Sequence, residues 1–403
     1  MSLSWSAWRD LLRDEALPCA AVDLDAFDRN VDRVASLVGP GQALRLATKS
    51  LRVPGLIRRA LSRGRRFKGL MTYSAAETLA LHRLGFDDLL LAYPTARGPE
   101  LAMLREAHDA GATVALVVDS EAHVAAASRA MQGSERPLRL VADVDMTLLP
   151  GTAHAGVRRS PLRSAEMVVS LFERARSFGH VRMVGLMGYD AQVAGLQDRA
   201  PGKRVDNLVA RAVRAASVGH VARLRRSLRE ALAAGGHEVE LFNGGGSGSL
   251  DHCAREPWLT ELTAGSALLC GHLFDGYSNV SYEPAAFFAV EVARASDPGW
   301  VTCAGGGWVA SGAAGTDRLP RPWLPEGLSL SPREGMGEVQ TPLRVPRGVA
   351  LAPGDPVVFR HAKSGELAEH VEAYLLVAGG AVVGRAETYR GIGSFGGERV
   401  QRA

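Results

Sequence analysis

Four lysines stand out. Among 47 Lys and Arg residues, lysine occurs only at Lys49, Lys68, Lys203 and Lys363; arginine takes every other basic position. Such a bias leaves lysine where a guanidinium fails. Arginine stays protonated, whereas a desolvated lysine sheds its proton and condenses with a carbonyl as a Schiff base. Lys49 closes the apolar run LRLATKS, while Lys68 and Lys203 fall in helix or loop contexts and are expected to be dispensable. A second feature is FNGGGSGS, with Gly244, Gly245, Gly246 and Ser247 in succession. Consecutive glycines after a strand let backbone N–H groups approach a phosphate closely. TELTAGS adds Thr263, Gly265 and Ser266 as further donors. A Schiff-base lysine and a phosphate cradle together fit a phosphorylated aldehyde gripped at both ends. Pyridoxal phosphate is the candidate cofactor, and a sugar-phosphate Schiff-base aldolase is the competing reading. A surface lysine and a flexible glycine loop are the plain alternatives.

These residues need elements that bring them to one place. Eight apolar runs alternate with helical patterns over the first two-thirds of the chain: LRLATKS, FKGLMTYS, DLLLAYP, TVALVVDS, LRLVADVD, VRMVGLMGYD, VELFNGGGSGS and LTELTAGSALL. Segments between them, such as VPGLIRRALSR and SAEMVVSLFERARSFG, carry apolar residues at i, i+3, i+4 and i+7, hence helices. The alternation predicts an α/β fold, a (β/α)8 TIM barrel, with an open doubly wound sheet as runner-up. In a barrel, Lys49 ends strand one and the glycine loop follows strand seven. They then meet as diagonal neighbours around the C-terminal mouth, where barrel active sites and phosphates lie. Asp143 and Asp145 end run five and face the same mouth, either touching substrate or capping loops. Residues 19–30 alternate apolar with polar and read as a strand outside the barrel. After about residue 276, Gly and Pro cluster, and AAFFAVEVARA, DPVVFRHA, HVEAYLLVAGG and AVVGRAETY read as antiparallel strands. The division is thus an N-terminal helix and strand (1–30), a barrel (31–275) and a mainly antiparallel C-terminal β domain (276–403).

Composition removes other classes. With 46% hydrophobic and 22% charged residues the chain is an ordinary globular protein, not a disordered or collagen-like one. No apolar stretch approaches the roughly 18 residues of a membrane span, and the opening MSLSWSAWRD lacks the pattern of a secretory signal. The net charge of +4 is spread through 43 acidic residues, so no nucleic-acid surface is expected. The densest basic stretch, Arg211 to Arg229, reads as the solvated face of an amphipathic helix. Cys19, Cys253, Cys270 and Cys303 form no C-x-x-C pair and read as reduced thiols of a cytoplasmic protein, with Cys303 in packing.

At this point the sequence resembles the fold-type III pyridoxal-phosphate enzymes, whose barrel is that of alanine racemase. Within them it is similar to the D-threonine aldolase and D-serine dehydratase group and its bacterial amino-acid deaminase/aldolase subgroup. AAVDLDAFDRNVDRV resembles the opening strand and helix, and RLATKS the cofactor-lysine strand, which implies that Lys49 carries the cofactor. VGLMGYD resembles the strand whose tyrosine lies beside the cofactor, which implies that role for Tyr189. HAGVRRSP resembles the arginine loop and implies that Arg159 faces the cofactor ring, with Arg158 the alternative. GGGSGS and TELTAGS fall on the phosphate loops, and LFDGY, GGGWVASG, GEVQTP and FRHAKSGEL on C-terminal segments. The resemblance implies a lyase acting on a β-hydroxy D-amino acid, by dehydration or retro-aldol cleavage. A racemase and a non-catalytic cofactor-binding protein are the alternatives. It also implies that the N-terminal helix and strand (1–30) join the β domain, and it implies a small-molecule amino-acid substrate and a homodimer.

The chain departs from that pattern at the metal. Metal-dependent members carry H-x-C or H-x-D in the C-terminal domain, where this chain reads His361-Ala362-Lys363. A protonated lysine has three donors and no lone pair to offer. GEVQTP keeps Glu338 but lacks the histidine of relatives, and Gln192 stands where they often place one. A divalent metal is therefore not expected, and His361 would bind only if one were present. Lys363 is read either as a cation replacing the metal or as an outward partner of Glu366 or Glu369. His252 and His272 are read as structural.

Overall fold

The structure is a computed structural model, and it describes residues 3–148, 154–295 and 297–393. A first strand, β1 (Cys19–Asp23), is followed by eight parallel strands that close on themselves. These are β2 (Ala43–Ala47), β3 (Phe67–Thr72), β4 (Leu89–Leu91), β5 (Val114–Val118), β6 (Leu138–Asp143), β7 (Val181–Gly188), β8 (Leu241–Gly244) and β9 (Glu261–Ala264). Closure is the pairing of β2 with β9, Ala43 to Glu261 through Leu46 to Ala264. Each of the eight apolar runs thus supplies one barrel strand. Helices outside and side chains inside bury both faces of these strands, which is why they read as apolar runs. Leu90, Val117, Val141, Val184 and Leu241 fill the inside.

The turns leaving β3 and β5 are short, β6 is followed by a long loop, and the helices that come next are capped. Ser74, Ser120 and Ser164 each accept the N–H three residues on and start a helix. Strand ends and helix starts are thereby fixed around the mouth.

The second sheet contains β1, β10 (Ala286–Arg294), β11 (Trp300–Ala304), β12 (Arg321–Leu324), β13 (Ser329–Leu330), β14 (Gln340–Arg344), β15 (Pro356–Arg360), β16 (Ala373–Ala378) and β17 (Ala381–Glu387). It is mainly antiparallel; β1 runs antiparallel to β10 and parallel to β16. Four strands, β11 to β14, lie in the Gly- and Pro-rich stretch where no strand is predicted.

Two expectations are corrected. Lys68 lies within β3, exposed, rather than in a helix or loop. The basic stretch is indeed helical, within Arg204–Ala234, but its arginines are not all solvated. Arg214 and Arg225 turn inward because carboxylates wait there: Asp198 for Arg214 at 2.9 Å, and Glu256 and Asp190 for Arg225 at 2.6 and 3.3 Å.

Candidate functional site

Lys49 sits in a one-turn 3-10 segment, Thr48–Ser50, directly after β2. Thr48 anchors the turn by donating its hydroxyl to the carbonyl of Met71 (2.9 Å), and Arg52 Nε donates to the carbonyl of Lys49 (3.1 Å). Thr48 and Ser50 are buried, but the Lys49 side chain stands accessible in the mouth, surrounded by protein walls. Desolvation by those walls lowers its pKa, and the charges of Arg159, Lys363 and Arg52 lower it further. A lowered ammonium pKa is what a Schiff-base lysine requires.

The β6 side of the mouth holds Asp143 and Arg159. Arg159 Nε donates to Asp143 Oδ2 (2.6 Å) and its Nη2 to the carbonyl of Ala92 (3.1 Å). Asp143 is 1% exposed, and burial pushes its carboxyl up to about 6 despite the guanidinium. Its Oδ1 is buried without a hydrogen-bond partner. Asp145 is taken up by Arg163 Nε (3.0 Å) and the Thr147 N–H (3.0 Å), a loop-capping role. Arg158 is exposed, and it is Arg159 whose charge acts on Lys49.

Tyr189 follows β7, and burial raises its hydroxyl well above the usual tyrosine range. Its ring borders the glycine loop: a Cβ on Gly246 would come 3.1 Å from Tyr189 Cε2 and 3.2 Å from Ala194 Cβ. Gly245 has φ +75°, and a Cβ on Gly244 would strike Arg225 Nη2 at 2.7 Å. The loop is therefore built of glycines for space and backbone conformation. Ser247 is buried, and its hydroxyl accepts the N–H groups of Gly265 (3.2 Å) and Ala267 (3.1 Å), stitching the two phosphate loops together. That use occupies the Gly265 donor. Thr263 faces the barrel interior and donates to Asn243 Oδ1 (3.0 Å), in a network running through Glu261 to Arg45. Gly246 and Ser266 are the partly accessible members of the cradle, although the Gly246 N–H already donates to Ser249 Oγ (3.1 Å).

Lysine turn and cradle are closer than expected. Because β2 and β9 pair, Lys49 and the Gly265–Ser266 loop are direct neighbours, not diagonal ones. A Cβ on Gly265 would lie 2.7 Å from the carbonyl oxygen of Ala47. These residues fit pyridoxal phosphate: the glycine cradle for the phosphate, Lys49 for the aldehyde carbon, Tyr189 and Arg159 for the ring.

The second sheet contributes the loop after β15. His361 is buried and held neutral, its pKa pushed down to about 3 chiefly by burial. Its Nδ1 lies 3.2 Å from the carbonyl of Ala286, and Nε2 is buried without a partner. Lys363 Nζ meets Ser311 Oγ (2.9 Å) and Glu366 Oε1 (3.3 Å). Glu338 is exposed, and Gln192 is buried, donating to the carbonyl of Met146 (2.6 Å). Among the described residues no three His, Cys, Asp or Glu side chains gather to hold a metal ion. The donor set of the metal-dependent relatives does not fit this chain. His272 hydrogen-bonds the carbonyl of Leu319 (2.8 Å), and His252 lies 3.4 Å from Asp251, both structural placements.

Sequence reasoning misses three residues that shape the site. Arg225, fully buried, donates to the carbonyl of Gly188 (2.9 Å) and props the end of β7 against the glycine loop. Arg52 braces the lysine turn from behind. Glu77 is buried under the same turn and accepts from the N–H of Tyr73 and the hydroxyl of Tyr389 (2.8 Å each). An arginine amid apolar helix positions is the only hint the sequence holds for Arg225.

Comparison with known proteins agrees with the fold. Residues 22–269 match the alanine racemase N-terminal domain. No curated protein matches the sequence significantly. Among solved structures, D-threonine aldolase from Filomicrobium marinum superposes with TM-score 0.77 at 20% identity, over 93% of this chain and 95% of that one. D-threo-3-hydroxyaspartate dehydratase from Delftia sp. HT23 gives TM-score 0.74 at 17% identity, over 94% and 98%. The same type of dehydratase, as a cysteine-to-alanine mutant in a metal-free form, gives 0.74 at 18%, over 94% and 99%. At these identities the likeness is one of fold.

Proposed function

The chain belongs to the alanine racemase N-terminal domain family, and on that premise we propose that it is a pyridoxal-phosphate-dependent lyase of β-hydroxy D-amino acids. The observation that carries this reading is Lys49: accessible, its ammonium pKa lowered by desolvation, and set on the strand that pairs directly with the one leading into the Gly265–Ser266 loop. Likeness over nearly the full length to an aldolase and a dehydratase, rather than over the barrel alone, supports a lyase above a simple cofactor-binding protein.

When bound, the cofactor supplies an electron sink for charge developing at Cα. The chain's own residues do the rest. Ser266, with the space that Gly246 leaves beside Tyr189, would seat the phosphate, and Tyr189 would flank the ring. Arg159, held by Asp143, presents a fixed positive charge to the ring's polar edge. Lys49 would be the base at Cα, and its lowered pKa keeps it unprotonated over a wider pH range. Removing the Cα proton and expelling the β-hydroxyl gives dehydration; removing the hydroxyl proton and breaking Cα–Cβ gives retro-aldol cleavage.

The reading includes a homodimer and a cytoplasmic setting. It draws on Val205, Leu208 and Val209, which stand exposed along one helix, and on four free cysteines. No helix among the described residues is long and apolar enough to cross a membrane.

The test is product analysis with D-serine, D-threonine and their 2-methyl analogues. A keto acid marks dehydration and an aldehyde marks cleavage. The 2-methyl analogues lack a Cα proton, so only cleavage can consume them. Conversion to the opposite enantiomer would make the protein a racemase, and no turnover by cofactor-loaded protein would leave it a binder.

A further inference from the structure

The loop from His361 to Glu366 is the part of the mouth that the second sheet supplies, and three contacts seat it. Gly365 has φ +84°, and a Cβ there would lie 2.0 Å from the carbonyl oxygen of Lys49. Only glycine allows that approach. Ser364 donates its hydroxyl to the carbonyl of Ser266 (2.8 Å) and accepts the N–H of Gly271 (3.4 Å). The loop therefore rests on the lysine turn and the phosphate loop together, with Lys363 immediately before those two anchors.

Lys363 is half-exposed and steadied from one side. Its Nζ meets Ser311 Oγ (2.9 Å) and Glu366 Oε1 (3.3 Å), and Ser311 in turn donates its N–H to Glu366 Oε2 (2.8 Å). An ammonium group has three N–H donors. Two are engaged, which leaves a third to donate, and the loop's seat on the lysine turn brings Lys363 close enough for its charge to act on Lys49. A metal is poorly served at the same place. His361 offers one unpartnered nitrogen, Lys363 offers no lone pair, and a dication beside an ammonium is repelled.

We infer that the site works without a divalent metal, and that Lys363, steadied by Ser311 and Glu366, is the cation that hydrogen-bonds the β-oxygen of the substrate. This rests on the lyase reading above. The ammonium offsets negative charge building on that oxygen, whether the oxygen departs or becomes a carbonyl. The pairing with Glu366 is then not an alternative to a role in the site but the clamp that fixes Lys363 there.

The test uses the cofactor-loaded protein purified without chelators, together with Lys363→Met and Lys363→Gln. Three quantities are read: metal content by mass spectrometry, turnover of D-serine and D-threonine with and without EDTA, and deuterium exchange at Cα of D-alanine, which has no β-oxygen. We expect no stoichiometric metal in the wild type and no loss on chelation. Both variants should keep the visible band of the bound cofactor. They should lose at least about tenfold more in turnover of the hydroxy substrates than in D-alanine exchange, as befits one charge-assisted hydrogen bond. Equal losses on both reactions, or none, would reduce Lys363 to a structural pair and overturn the inference. So would one zinc or manganese ion per chain, or EDTA inactivation reversed by either ion. A wild type inert towards every hydroxy substrate defeats the lyase reading instead, while its metal content still decides the metal-free half.

Discussion

Asp143 shows what burial does to a strand-end carboxylate. From the sequence it is a mouth residue that either meets substrate or caps a loop. Folded, it is out of reach of solvent and bound to Arg159 and to the hydroxyl of Ser160, which donates to its carbonyl (2.6 Å). Its carboxyl, pushed up to about 6 by burial, is ionised above that pH and neutral below it. Arg159 is therefore held firmly only above about pH 6. The pH profile of kcat should fall off on the acid side near that value. Asp143→Asn should lose that acid limb and also lose roughly tenfold to a hundredfold in kcat, the worth of a charge-assisted hydrogen bond of about 1.5–3 kcal/mol. An Asn variant with wild-type kcat and the same acid limb would show that Asp143 does not position Arg159.

Among the elements, the β8 and β9 loops depend on backbone space. Gly246 leaves no room for a side chain between Tyr189 and Ala194, while Gly384 in β17 has open space around its missing Cβ. Gly246→Val should therefore weaken cofactor retention at least tenfold relative to Gly384→Val, measured as the dissociation constant of pyridoxal phosphate; equal constants would rule the glycine loop out as the phosphate seat. The barrel was legible in the sequence because its parallel strands are buried on both faces and leave continuous apolar runs. The short strands β11 to β14 leave no such trace, since Pro322, Pro342 and exposed Trp300 break any alternation. Lys49 and the glycine loop could be found by residue type alone. Arg225 could not, because helical periodicity cannot show that Asp190 and Glu256, distant in sequence, make an inward arginine affordable.

At the scale of the molecule, the barrel and the second sheet are latched behind the site. Tyr389 reaches from the C-terminal side to donate to Glu77 Oε1 (2.8 Å), and its own N–H donates to the carbonyl of Arg52 (2.9 Å). Burial raises the Glu77 carboxyl to about 7, against hydrogen bonds from Tyr73 and Tyr389 that favour its charged form. The folded pKa thus lies above the unfolded one, so the folded state binds more protons between roughly pH 4.5 and 7, and wild-type stability falls as pH rises through that window. Glu77→Gln removes the titration. Its stability relative to wild type should rise by roughly 3 kcal/mol from pH 4.5 to 8, read from denaturant unfolding at both values. A pH-independent difference would show that Glu77 is already ionised in the folded protein. The account as a whole turns on one covalent link. Borohydride reduction of the yellow, cofactor-loaded protein, followed by peptide mass mapping, tests it most directly. The reduced pyridoxyl group should be found on Lys49 and be lost in Lys49→Arg, with Lys68→Arg and Lys203→Arg unaffected. A reduced adduct on Lys68, Lys203 or Lys363, or one that persists in Lys49→Arg, would contradict the account.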